Sequence, residues 1–370
     1  MARRNLGREP EIGKRWPYKA LNYLSSNQLW KFLTWKSGGQ LGDPPFQLGK
    51  TLSGRLRLLI LLPDDFQEIL VAFPVIQSLI QGLTDSEFLL LTRQHLTGFL
   101  SALFGPDRVL GVRSEDFRWG EPHFLELIRT VAAFRPELSI NLGAETSPLM
   151  HFLIRSSGAP IRVQVSGEAP RPFANIILTP SDPPNHLRRF LQAVRLWDFS
   201  ERPIVPKWSR LGVSPENIKG AAARLTSKGL RPESTRLFLW QGLSPIRERD
   251  LFQATVRERS SQGAAQALVV VNGAGPLWAS PPPPPDLLLG LPALEVESTG
   301  LLLGLFAQTA RSIGTHGPLL HLAGIADTDV VGHFTEEDAV WDTSFLNPRL
   351  RVIYEKPLDN GQRDLTQGAP

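Results

Sequence analysis

The chain has 370 residues, of which 42% are hydrophobic and 21% are charged, so it holds enough apolar sequence for two domain cores. It has no cysteine, which excludes disulfides, thiolate metal sites and a cysteine nucleophile, and its seven histidines include no pair at the spacing of a helical zinc motif. We therefore expect neither a metal nor a cofactor. The net charge of +4 is uneven: residues 1–50 hold nine Lys/Arg against three Asp/Glu, so the rest of the chain carries −2 and does not favour nucleic-acid binding.

Residues 1–50 form a basic, aromatic arm. Its segment 20–36 places apolar side chains at helical spacing and interleaves Trp30 and Trp35 with lysines. This composition suits the headgroup layer of an anionic membrane, but a helix docked on its own domain or on a protein partner gives the same pattern, and both interpretations stay open. The chain has no run of 18 apolar residues and no secretory signal, so we expect a cytoplasmic protein, peripheral on the inner face of a membrane if the arm binds lipid.

Strands and helices alternate through residues 51–200. Apolar runs predict strands at 56–62, 87–92, 108–112, 137–143 and 161–165, and the segments between and after them predict helices at 69–83, 95–105, 122–134, 147–158 and 186–197. This alternation is typical of a doubly wound parallel sheet. Pro74 is expected in the first turns of its helix, where proline is tolerated best.

A second alternating block follows a proline-rich linker at 201–208 and occupies residues 209–340, with a tail at 341–370. Its predicted helices cover 215–229, 251–263 and 299–310, its strands cover 236–242, 267–275 and 329–334, and residues 311–325 read as a strand, a loop and a helix start. The two blocks share no residue-level repeat. The alternation of strands and helices in both blocks predicts an α/β fold with two Rossmann-like domains.

The first candidate loop, PDDFQE at 63–68, supplies three carboxylates. In open α/β sheets, ligands bind beyond the carboxyl ends of the strands, and this loop directly follows a buried strand. Asp64, Asp65 or Glu68 could act there as a general base that takes a proton from a substrate hydroxyl. Alternatively, the three residues cap and solvate a helix N-terminus.

The second and third candidate loops follow strands of the second block. In QGLSPIRER at 241–249, Gly242 and Ser244 could donate hydrogen bonds and Arg247 and Arg249 could hold a diphosphate, although an ordinary polar loop has the same composition. The loop 314–324 runs through small residues into a helix, so its backbone could approach phosphate. That loop contributes four candidate residues: His316, Gly317, Pro318 and His321. The alternative is a strand-to-helix turn in which His321 packs against the sheet.

The order of these motifs resembles the ADP-heptose:lipopolysaccharide heptosyltransferase family, which is glycosyltransferase family 9. LRLLILLPDDFQEILVAFPVIQSL resembles the family's opening strand, loop and helix, including its proline at Pro74, and HLRRFLQAVRLW resembles the interdomain helix. FLWQGLSPIRERD, VVVNGAGP with Gly275, and GTHGPLLHLAG resemble the phosphate loop, the Gly-Gly-Pro turn and the Asp-Ser/Thr-Gly-Pro-x-His-Leu-Ala segment. The resemblance covers roughly residues 55–340.

The resemblance implies the GT-B fold, in which two Rossmann-like domains face each other across a cleft. It also implies inverting transfer of a sugar from a nucleotide-diphosphate sugar, bound by the C-terminal domain, to a glycan or lipid-linked acceptor in the N-terminal domain. In this alignment Glu68 takes the place of the catalytic Asp, and Glu248 that of a phosphate-binding Lys. Thr315 or His316 takes the place of the Asp in the last motif, while His321 matches the family residue.

These departures leave two hypotheses open. In the first, the chain is a divergent glycosyltransferase, with Glu68 as the base. In the second, it is a catalytically inactive scaffold or binding subunit that keeps the fold, because a fold does not fix a function.

Overall fold

The computed structural model describes residues 46–113, 122–143, 148–165, 173–179, 184–208, 211–259, 266–270, 281, 283–284, 292–326 and 328–355. Gly275, the turn around it and residues 1–45 of the arm lie outside the described residues. No helix in the described part of the chain is long and apolar enough to cross a membrane.

The N-terminal half is built on a parallel six-stranded sheet in the order β3-β2-β1-β4-β5-β6. Its strands are β1 Arg57–Leu61, β2 Glu87–Arg93, β3 Val109–Val112, β4 Leu138–Asn141, β5 Ile161–Val165 and β6 Ile176–Leu178. Its helices are α1 Leu48–Ser53, α2 Phe66–Gly82, α3 Thr97–Phe104, α4 Pro122–Phe134, α5 Pro148–Ser156 and α6 His186–Arg195. Short 3₁₀ turns lie at Gln94–Leu96, Pro106–Arg108 and Leu196–Phe199.

Alternate residues of β1 face different helices. Leu58 and Ile60 join the core formed with α2 and α6, whereas Leu59 and Leu61 join the core formed with α4 and α5. A strand that is buried on both faces must be apolar throughout, which explains the unbroken run of apolar residues. The helices therefore cover both faces of the sheet, as the doubly wound pattern predicted.

The C-terminal half repeats this arrangement on a second parallel sheet, in the order β12-β11-β10-β7-β8-β9. Its strands are β7 Arg236–Trp240, β8 Gln266–Val270, β9 Ala293–Glu295, β10 Arg311–Thr315, β11 Val330–Phe334 and β12 Leu350–Tyr354. Its helices are α7 Pro215–Ser227, α8 Pro245–Arg259, α9 Thr299–Gln308 and α10 Pro318–Ile325, with 3₁₀ turns at Pro232–Ser234 and Glu337–Trp341. Counted within each half, both sheets have the strand order 3-2-1-4-5-6.

The two halves pack on each other through α2 and α10 and through the segment 201–208. The backbone N–H of Lys207 donates to Ser78 Oγ at 3.1 Å, and Trp208 Nε1 donates to the carbonyl of Gly324 at 3.1 Å. The segment predicted as a linker therefore contacts both halves.

Several elements differ from the pattern-based boundaries. Helix α2 begins at Phe66, so Pro74 lies in the helix interior rather than in the first turns. Helix α8 begins at Pro245, six residues before the predicted start. The second sheet includes β12, which lies within the segment 341–370 that we expected to be a tail. At the other end, Phe46 and Leu48 of the predicted arm pack against the core.

Candidate functional site

The candidate site lies where the carboxyl ends of β1 and β10 face each other. Both sheets reverse their strand order beside these strands, since β1 lies between β2 and β4 and β10 lies between β7 and β11. Such reversal points are where open α/β sheets bind ligands. The two ends are close enough for Gln67 Nε2, on α2, to lie 2.5 Å from His316 Nε2, in the loop after β10.

The three predicted carboxylates have three different surroundings. Asp65 caps α2, because its Oδ1 accepts from the backbone N–H of Glu68 at 3.1 Å. Asp64 forms an ion pair with Arg93 at the surface. Glu68 is one turn further along the chain, at a position where its side chain faces α6, and its side chain is 16% exposed. The structure thus separates Asp65, which caps α2, from Glu68, which contacts α6.

Glu68 is held by two side chains of α6. Its Oε1 lies 3.3 Å from Arg189 Nη2, which donates a hydrogen bond, and 3.3 Å from His186 Nδ1, a close approach without good hydrogen-bond alignment. Burial by itself would raise the pKa of Glu68, but the interactions with His186 and Arg189 outweigh burial and lower the pKa below its usual value. Glu68 is therefore ionised at neutral pH.

His316 is the polar centre of the opposing loop. Its Nδ1 lies 3.1 Å from Asp338 Oδ1, so the network places the ring proton on Nδ1 and leaves Nε2 to accept from the amide of Gln67. Burial lowers the pKa of His316 despite the opposing effect of Asp338. The imidazole is thus neutral at physiological pH.

His321 follows on α10 and is nearly fully buried. Burial lowers its pKa to about 3, and its Nε2 has no hydrogen-bond partner among the described residues. The rings of His316 and His321 meet edge to face at 5.6 Å between centroids. His321 is therefore an interior residue of α10 that contacts His316.

Trp341 joins the two halves at the side of the cleft. Its ring stacks on His186 of the N-terminal half with centroids 3.8 Å apart, and it lies 5.5 Å from the ring of His316. Beside it, Asn185 Nδ2 donates to the carbonyl of Asp342 at 2.9 Å. The first turn of α6 is thereby fixed against the C-terminal half.

The loop after β7 is occupied by the chain's own carboxylate. Glu248 is fully buried, and its Oε2 accepts from the backbone N–H groups of Gln241 at 2.8 Å and Gly242 at 3.0 Å. Its Oε1 accepts from the N–H of Ser244 at 3.1 Å. We call these three backbone donors the β7 nest. Gly242 has a φ of +69°, a conformation that glycine adopts without strain. The sequence placed Glu248 beside the candidate cations but gave no sign of this role.

The two predicted arginines are separated because they lie on α8 rather than in a loop. Arg247 donates from Nε to Glu355 at 2.7 Å, from Nη1 to Asp338 at 3.2 Å, and from Nη2 to the carbonyl of His333 at 2.7 Å. Arg249 is 41% exposed, and its Nε lies 4.0 Å from Asp250. Residues two apart on a helix do not share a face, so the pair does not converge on one ligand position.

A backbone N–H group at the start of α10 is also hydrogen-bonded within the chain, by the side chain of Gln241. Its Oε1 accepts from the N–H of Leu319 at 2.9 Å, while its Nε2 donates to the carbonyl of Thr315 at 3.1 Å. Gly317 has a φ of +154°, and a Cβ at that position would lie 2.4 Å from Gln241 Oε1. Pro318 is the first residue of the helix. Gln241 is a functional candidate that the sequence reading missed.

The described residues contain no group of three or more His, Asp or Glu side chains arranged to hold a metal ion. The charged groups of the cleft are instead used in pairs and in backbone contacts.

Comparison with known proteins identifies the fold. No protein-family model matches the chain, and no curated protein sequence matches it. Among solved structures, it is similar to a glycosyl transferase family 9 protein from Veillonella parvula DSM 2008, with a TM-score of 0.66 and 11% identity over 84% of this chain and 88% of that one. It is also similar to E. coli heptosyltransferase WaaC with ADP, with a TM-score of 0.56 and 14% identity over 81% and 94% of the two chains. For E. coli ADP-heptose lps heptosyltransferase II, the TM-score is 0.56 and the identity 13%, over 80% and 90%.

These likenesses confirm the GT-B fold that the motif order implied. Identities of 11–14% establish the architecture of two Rossmann-like halves and leave the reaction to be argued from the site.

Proposed function

We propose that the chain transfers a sugar from a nucleotide-diphosphate sugar to a glycan or lipid-linked acceptor, with the cleft between the two sheets as its active site. The motif order favours heptose as the sugar and a lipopolysaccharide-like acceptor. The observation that carries the proposal is the position of Glu68, an ionised carboxylate in the first turn of α2, beside Gln67, whose side chain contacts His316 of the opposite half. A general base for an acceptor hydroxyl requires this combination of charge and place.

In the proposed reaction, Glu68 takes the proton of the acceptor hydroxyl as its oxygen attacks the anomeric carbon. The bond between that carbon and the diphosphate breaks, the diphosphate leaves with the electron pair, and the anomeric configuration inverts. Arg189 and His186 hold the carboxylate in its ionised form, so the base is available at neutral pH. The same interactions lower its affinity for a proton, which makes Glu68 a weaker base than a free carboxylate.

The test is sugar transfer by the full chain from a panel of ADP-, UDP- and GDP-sugars to glycan and lipid-linked acceptors. Transfer is measured as the amount of nucleoside diphosphate released. Glu68→Gln removes the base and keeps the size of the side chain, so we expect turnover to fall by about 10²- to 10⁴-fold. Glu68→Asp keeps a carboxylate and should retain part of the activity.

The matched control is Asp64→Asn, because this exposed carboxylate precedes α2 and forms an ion pair with Arg93 instead of contacting α6. It should leave turnover unchanged. Full turnover by Glu68→Gln would contradict the assignment of the base. If the wild type releases no nucleoside diphosphate with any donor, the proposed reaction itself is wrong.

A second candidate function is a scaffold or binding subunit that keeps the fold without catalysis. The specific observation in its favour is that Glu248 and Gln241 already use the backbone donors at the starts of α8 and α10. Calorimetry with ADP- and UDP-sugars separates the two candidates. Saturable binding of a nucleotide sugar that is retained in the Glu68 variants supports the transferase. Absence of a binding heat with every nucleotide sugar supports the scaffold.

A further inference from the structure

A fully buried carboxylate is costly unless it is well hydrogen-bonded, and Glu248 has no ion pair among the residues that the structure describes. All three of its described hydrogen bonds come from backbone N–H groups, and it lies in the first turn of α8, where the helix dipole favours negative charge. Backbone donors that converge on one anion at the start of a helix are also the arrangement that binds phosphate. The β7 nest is therefore an anion site whose anion is part of the chain.

We propose that Glu248 is an intramolecular competitor for phosphate at the β7 nest, so that the phosphates of a donor reach these N–H groups only by displacing it. This inference rests on the proposed function, because it concerns the donor's diphosphate. A carboxylate and a phosphate oxygen pair would need the same three donors, at 2.8 to 3.1 Å, and two anions do not share them. Glu248 then sets which ligands the C-terminal half accepts.

Gln241 connects this nest to the start of α10. Its backbone N–H belongs to the β7 nest, while its side chain accepts from Leu319 and donates to the carbonyl of Thr315. A shift of Glu248 frees the N–H of Gln241, and a shift of Gln241 frees the N–H of Leu319. The two loops that the sequence assigned to the diphosphate are therefore linked through Gln241.

The experiment measures binding of inorganic pyrophosphate and of ADP to the full chain by calorimetry. Glu248→Ala vacates the nest and Glu248→Gln removes its charge with little change in size. We expect both to bind pyrophosphate at least about tenfold more tightly than the wild type, with the larger gain for Glu248→Ala. The matched control is Asp250→Asn, which removes the same charge from an exposed side chain on the same helix and should not change binding.

Three results would overturn the proposal. Glu248→Ala and Glu248→Gln could bind pyrophosphate no more tightly than the wild type. Asp250→Asn could gain as much affinity, which would make the effect one of long-range charge. Pyrophosphate, compared with chloride at the same ionic strength, could stabilise the wild type against heat as much as it stabilises Glu248→Ala and Glu248→Gln, which would show that Glu248 does not compete.

Formate provides a second readout, since it carries the carboxylate that Glu248→Ala has lost. We expect formate, compared with chloride at equal ionic strength, to raise the melting temperature of Glu248→Ala and not that of Glu248→Gln or the wild type. If formate does not stabilise Glu248→Ala, the nest is not an anion site. The proposed function fails separately: tight pyrophosphate binding by Glu248→Ala without sugar transfer by any form supports the competitor and refutes the transferase.

Discussion

Mild acid should destabilise the fold through buried histidines, and His321 gives the clearest case. This residue of α10 is 3% exposed, and burial lowers its pKa from 6.5 to about 3. The folded chain keeps the ring neutral, whereas the unfolded chain takes up a proton below pH 6.5. The unfolded state therefore binds more protons over this range, and the free energy of unfolding falls as the pH drops from 6.5 towards 3.

The expected size follows from the linkage relation. One proton of difference changes the free energy of unfolding by about 1.4 kcal/mol per pH unit, so His321 alone removes about 2 kcal/mol between pH 6.5 and 5.0. His151, whose pKa burial lowers to about 4, adds a loss of similar size. The pKa values of His316 and His333 are lowered too, and their contribution has the same sign. Stability should be greatest above pH 6.5.

Urea denaturation at pH 7.5, 6.5, 5.5 and 5.0 tests this prediction. His321→Leu replaces the ring by an apolar side chain that does not titrate, so its free energy of unfolding should lose about 2 kcal/mol less than the wild type between pH 6.5 and 5.0. His95→Leu is the matched control, because His95 is exposed, and it should keep the wild-type pH dependence. If His321→Leu has the same pH dependence as the wild type, burial of a neutral His321 is not the cause.

Two further predictions concern the start of α10 and the arm. Gly317→Ala should destabilise the fold by about 1–3 kcal/mol in thermal or urea denaturation, because the new Cβ would lie 2.4 Å from Gln241 Oε1 at a positive φ. The control is Gly98→Ala, which has open space at its Cβ and should be neutral or stabilising. Equal effects of the two substitutions would contradict the steric argument. We propose that the basic arm attaches the protein to an anionic membrane face or a large partner. Removal of residues 1–45 should leave a folded chain that sediments less with anionic vesicles at low salt than the full chain does. This difference should shrink as the salt concentration rises. Equal sedimentation of both forms at low salt would exclude the arm as the membrane anchor.

Local sequence patterns determined the central strands and most helices. The apolar run at 56–62 predicted β1, and the structure has it at Arg57–Leu61, because a strand buried on both faces must be apolar at every position. The strands β6, β9 and β12 were missed, and each lies at the edge of its sheet or is only three residues long. An edge strand is stabilised by the hydrogen bonds of one neighbour, so its own side chains need not carry a strong pattern.

The start of α8 could have been predicted, since Ser244 followed by Pro245 is a helix-start signal. The side-chain partners could not. The sequence indicated that carboxylates and cations follow β1 and β7, but only the packing of α6 against α2 directs Glu68, rather than Asp65, towards Arg189. Likewise, Glu248 fills the β7 nest because the turn at Gly242 and the start of α8 bring three backbone N–H groups to one point. Periodicity records which side chains are buried, whereas hydrogen-bond partners depend on distances between segments far apart in the chain, and these distances exist only in the folded structure.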